Sequence, residues 1–287
     1  MSQSPDIVNV NGIEKPFDFF DRLNQRITLP LDLDSAHDLS PKILKILDPS
    51  SIRHPVRKAL DVLWETLNEH QDDIDQLFDI RLMLYLPAIL ELQEKHYVIL
   101  FYWANECHKS SMLLAMQGYY NPAYSQIRTL LELSLLLVYF SDHEAELQSW
   151  MNNDVRQVPQ VSQLLRDYLP RVESLAHFRT ENFNSKETGS FNELFDDLGR
   201  EYKKLCSSVH GKYTHANDLS IMNYQKAAML NYLENCRTVL QLTHTLVVAN
   251  FNAGQTVKDY CTSHKDILNL EDLFPSKYLK HLNIGDN

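Results

Sequence analysis

From Gly118 to Phe140 the chain reads GYYNPAYSQIRTLLELSLLLVYF, and this stretch limits the fold more than any other. Asn121 and Pro122 open it as a cap followed by a first helical residue. The apolar residues that follow cover most of a helical circumference, so the helix needs neighbours on nearly every side. Arg128 and Glu132 interrupt that surface four residues apart, on one face. Charges in so apolar a helix are costly unless other groups satisfy them. Arg before Glu is also the less favourable order along a helix. The pair is therefore a candidate site in its own right, with Arg128 holding an anion or polarising an oxygen and Glu132 orienting it.

The rest of the chain supports a helical assembly. Glycine is scarce, with 7 in 287 residues, and strand-like alternation is confined to Ile7–Val10. Residues 1–54 read as an irregular N-terminal arm punctuated by Pro5, Pro16, Pro30, Pro41 and Pro49, with one short helix at 41–47 capped by Ser40. A first long helix is expected from Pro55 to a polar break at Asp72, Asp73 and Asp75. A second follows to Leu92, kinked by Pro87. Residues 94–117 form a third, stopped by Gly118 and paired antiparallel with 122–140 across a short connection; both should be core. Short helices at 143–152 (capped by Asp142) and 159–169, a polar loop at 179–190, a helix at 191–209 and a long helix at 223–252 complete the body. The expected fold is all-α: a central antiparallel bundle of four to six helices spanning 55–264, followed by a short C-terminal helix and tail at 265–287.

Composition removes several classes of function. A formal net charge of −11 disfavours RNA and other nucleic acids as partners, because phosphate binding needs an electropositive surface. The densest local exception is Arg200, Lys203, Lys204 and Lys212. Cys107, Cys206, Cys236 and Cys261 form no CxxC pair, so no zinc site is signalled. No Glu-x-x-His, HExxH, G-x-S-x-G or P-loop pattern occurs. No metal and no cofactor are expected. The N-terminus does not read as a signal peptide, and the most apolar runs, Tyr97–Ala104 and Leu133–Phe140, fall far short of the roughly 20 residues of a membrane span. A cytoplasmic protein without membrane contact is expected.

The natural companion of the Arg128 helix is Tyr202–His215, YKKLCSSVHGKYTH. Leu198, Tyr202, Leu205 and Val209 form its apolar stripe, and His210 and His215 lie at its end as candidate acid or base groups. His108 and Glu106 add polar groups on the preceding helix.

Gly118, Tyr119, Ala123, Arg128 and Glu132, together with Tyr202, Leu205 and His210, resemble the helix pair of uncharacterised prokaryotic proteins related to HEPN-type domains. The resemblance implies a HEPN-like helical bundle, often dimeric, from toxin–antitoxin or phage-defence systems. Many such proteins are metal-independent ribonucleases that carry Arg, then four to six intervening residues, then His. Arg171…His177 and Arg237…His244 match that spacing. Thr238 stands where a different polar residue is usual.

Two functions follow as expectations. The first is a non-catalytic helical binding, scaffold or sensor component of a prokaryotic defence-type system, with a protein partner and self-association through long helices. Its acidic segment 61–79 suits a basic partner. The alternative is a HEPN-like ribonuclease or toxin acting through Arg128, Glu132, His210 and His215, or through Arg237 and His244.

Overall fold

The structure, a computed structural model, describes residues 49–92, 95–152, 159–178, 193–209, 223–266, 268–282 and 284. The chain divides into a unit of residues 1–53 and a unit of residues 54–287. Everything below concerns the second. The expected irregular arm and helix at 41–47, and the polar loop at 179–190, lie outside the described residues.

The described fold is all-α, with no strand among the described residues. Helix α1 (Pro49–Leu92) leads to α2 (Val98–Met116), α3 (Tyr120–Asp142) and α4 (Glu144–Met151). A run of short turns follows: one α turn at Val161–Gln163, a π-helical turn at Leu164–Tyr168, and 3-10 turns at Leu169–Arg171 and Glu173–Phe178. Then come α5 (Glu193–Val209), α6 (Lys226–Phe251), α7 (Gly254–Ser263), α8 (Leu270–Leu273) and α9 (Ser276–Leu279).

Helix α3 sits at the centre and packs against α2, α5 and α6. Ile127, Leu130, Leu131, Leu135, Leu137, Val138 and Phe140 are all within 1% of complete burial, which leaves it almost no solvent face. Its junction with α2 is a Schellman turn: Gly118 has φ +79° and the Tyr119 N–H donates to the Leu114 carbonyl at 2.8 Å. The α2–α3 hairpin is then tied side by side, with the Ser111 hydroxyl donating to the Ala123 carbonyl at 2.7 Å.

Both helices are core, as expected, but α2 is less enclosed than α3. Leu100, Ala104, His108, Ser111, Met112 and Ala115 bury one stripe, while Tyr102, Trp103 and Leu113 are exposed. An apolar sequence does not reveal which of two hairpin helices is innermost; only the number of packed neighbours does.

The expected division of residues 55–92 into two helices is visible as a break within α1, at His70 (φ −133°, ψ 18°) and not at Asp72–Asp75. His70 is 4% exposed and its Nε2 lies 2.9 Å from the Tyr224 hydroxyl. The backbone bends where that ring turns inward, two residues ahead of the carboxylates. The backbone at Pro87 stays helical. Past the break, α1 runs beside α6 in the same direction: Tyr224 and Lys226 reach Glu69, whereas Arg237 reaches Asp73 and Gln76.

Three smaller expectations change. Asp142 is the last residue of α3 and not a cap; His143 precedes α4. The single helix expected at 159–169 is the mixed run of turns at 161–178. Helix α7 and the helix pair α8–α9 replace one terminal helix. These last elements belong to the core, since Val257, Leu273, Phe274 and Tyr278 are buried.

Candidate functional site

Arg128 and Glu132 do meet the companion helix. Arg128 Nε lies 3.4 Å from Glu132 Oε1, and the two side chains are 25% and 29% exposed. Tyr202, on α5, donates its hydroxyl to the same Glu132 Oε1 at 3.1 Å. Burial, the Glu132 charge and the neighbouring Cys206 thiol hold the Tyr202 phenol well above its ordinary pKa, so it stays protonated and donating. One carboxylate thus receives a guanidinium from its own helix and a phenol from the next. The arrangement stitches α3 to α5 and leaves part of Arg128 facing water.

Arg237 and His244 share a helix and a face, about 10.5 Å apart along the axis at 1.5 Å per residue, but they occupy separate surroundings. Arg237 Nη2 donates to Gln76 Oε1 at 2.5 Å and lies 3.6 Å from Asp73 Oδ1. His244 is fully buried. Its Nδ1 is 3.3 Å from the Leu273 carbonyl, and its ring stacks on Phe274 with centroids 4.6 Å apart. Burial lowers its pKa to about 4, with the carbonyls of Leu273 and Met83 opposing weakly. The imidazole is therefore buried and neutral near pH 7. His210 and His215 lie outside the described residues.

His108, a polar group of α2, is fully buried, and neither ring nitrogen has a hydrogen-bond partner among the described residues. Its ring meets Phe78 edge-on at 5.9 Å. Burial, aided by the charge of Arg81, lowers its pKa to about 3.

The described residues contain no group of three or more His, Cys, Asp or Glu able to hold a metal ion, and no described helix is long and apolar enough to cross a membrane. All four cysteines are free. Burial pushes the Cys236 thiol up to about 12 and, together with the charge of Asp272, the Cys261 thiol up to about 11. Neither thiol is a nucleophile at neutral pH.

Two surface features complete the inventory. On α1, Asp61, Glu65, Asp72 and Asp75 are exposed and have no ion-pair partner among the described residues. Trp64 stands among them, 54% exposed. Sequence spacing revealed these carboxylates but gave no sign that the tryptophan beside them would be left uncovered. The second feature is a cleft between the π-helical turn and α5, lined by Ser162, Leu165, Arg166, Phe195, Asp196, Gly199, Arg200 and Lys203. The sequence flagged Arg200 and Lys203. It could not show Arg166 beside them, because 166 falls in a segment that reads as an ordinary helix.

Residues 95–226, less than half of the chain, match a family of unknown function, DUF5677. The matched region contains Arg128, Glu132, Tyr202 and the cleft, and it ends before Arg237 and His244. No curated protein and no solved structure is detectably similar to the chain.

Proposed function

We propose that the protein is a non-catalytic helical binding module, and that the exposed face of α1 takes a basic helical segment of a partner protein. The observation that carries this reading is Trp64: a large aromatic side chain, 54% exposed, on a helix whose exposed Asp61, Glu65, Asp72 and Asp75 form no ion pair among the described residues. Trp is the side chain most often found as an interface anchor, and depleted partner charge around it favours a cationic surface. The tyrosine-held Arg128–Glu132 pair serves as a strut between α3 and α5. The likeness of residues 117–140 and 202–215 to HEPN-type helices supports a place in a prokaryotic defence-type system, as its sensing or scaffolding component.

Fluorescence anisotropy with a labelled lysine–alanine–leucine helical peptide tests the reading. Saturable binding is expected, falling at least about tenfold between low and moderate salt. Trp64→Ala, and separately Glu65→Gln with Asp72→Asn and Asp75→Asn, should each weaken it. Binding indifferent to Trp64→Ala would mean simple counter-charge attraction and would overturn the proposal. Cleavage of total RNA by the purified protein between pH 6 and 8, abolished by Arg128→Ala, would replace it with the ribonuclease alternative.

A further inference from the structure

We infer that the cleft between the π-helical turn and α5 is a binding site for a small anion carrying an apolar or aromatic body. This site lies on other elements than α1 and does not depend on the reading of the acidic face.

The floor and the rim have opposite characters. Phe195 is 3% exposed and, with Leu165, forms an apolar floor. Arg166, Arg200 and Lys203 stand around a volume of about 480 Å³, with Asp196 in the lining and Asp167 and Asp197 beside the two arginines. In a chain whose formal net charge is −11, three cationic side chains converge on one concavity. Arg166 and Arg200 are each held by an aspartate: Asp167 accepts from Arg166 Nε at 2.9 Å and Nη2 at 2.8 Å, and Asp197 pairs with Arg200. Both guanidinium groups nonetheless remain open to solvent, with their side chains 69% and 71% exposed. The aspartates therefore fix the direction of each fork and leave donors available, which is the arrangement that suits planar recognition of phosphate or carboxylate. Asp197 is itself anchored, accepting from the Tyr278 hydroxyl at 2.7 Å and from Lys277. Lys203 has no ion-pair partner among the described residues.

Gly199 supplies the independent observation. It sits inside α5, where glycine is unfavourable relative to alanine. No packing reason requires it: an added Cβ would meet only Leu165 Cδ1, at an ordinary 3.7 Å. The missing side chain instead keeps the cleft open between Leu165 and Phe195. The opposite wall is a π-helical turn, Leu164–Tyr168, a form that recurs at functional positions because it re-aims side chains out of the regular helical register. Here it brings Leu165 and Arg166 together on the cleft.

Isothermal titration calorimetry with 1-naphthyl phosphate, 1-naphthol and inorganic phosphate tests the site. We expect one saturable site for naphthyl phosphate, at least about tenfold tighter than for either half alone. Gly199→Leu, which fills the floor, and Lys203→Glu, which is on the surface and leaves folding intact, should each weaken it by a similar factor. Gly199→Ala should raise Tm. The inference is overturned if naphthyl phosphate gives no saturable binding, if naphthol or inorganic phosphate binds as well as it does, or if Lys203→Glu binds like the wild type.

Discussion

His108 and His244 show how a residue type that suggests chemistry can be put to purely structural use. Unfolded, an imidazole titrates near 6.5; in this fold burial takes His108 to about 3 and His244 to about 4. Between those limits the unfolded chain binds more protons than the native one. Stability is therefore complete above about pH 6.5 and is lost as pH falls toward the folded values. At pH 5 each histidine should subtract about 2 kcal/mol, a difference that urea unfolding at pH 7.5 and pH 5 would measure. His108→Leu should remove about half of that dependence, leaving the share of His244, without lowering stability at pH 7.5, since the ring leaves two buried nitrogens unpaired. A different outcome is expected at the strut. Tyr202→Phe removes the 3.1 Å bond to Glu132 and should lower stability by about 1 kcal/mol. Arg128→Ala should lower it by a similar or smaller amount, because its partner is part-exposed and can be rehydrated. In a double-mutant cycle the two changes should not add, since both partners act on one carboxylate oxygen.

At the level of elements, the turn between α2 and α3 is the least forgiving point. Gly118 adopts φ +79°, and a Cβ there would lie 2.9 Å from the Asn223 carbonyl oxygen and 3.0 Å from its nitrogen. Backbone strain and backbone collision act together, so Gly118→Ala should destabilise by about 2 kcal/mol or more, read as a fall in the midpoint of chemical denaturation. This turn was legible in the sequence, because a glycine followed by Asn-Pro is a stop and a restart written in residue types. So was the enclosure of α3, since Leu130 to Phe140 leaves no polar stripe for solvent. Less was legible where the chain departs from simple periodicity. The π turn at 164–168 has the composition of a normal helix, and the inward turn of His70 depends on Tyr224, more than 150 residues away. Arg128, Glu132 and Tyr202 could be placed on facing helices by spacing alone. That Tyr202 joins the pair depends on how α5 packs on α3, which no local pattern records.

For the molecule as a whole, the distribution of charge is the governing feature. Carboxylates and Trp64 share the outer face of α1, whereas the cationic rim belongs to α5 and the π turn. The two features lie on different elements of the described fold, and a different ligand is proposed for each. Among the described residues, neither the buried His108 and His244 nor the separately engaged Arg237 stands beside the Arg128–Glu132 pair. Amide hydrogen exchange on the full chain, with and without the basic helical peptide, tests that account most directly. Added peptide should slow exchange in residues 57–79 and leave residues 193–209 unchanged, with the effect lost in Trp64→Ala. Protection centred on 193–209, or none anywhere at saturating peptide, would contradict it.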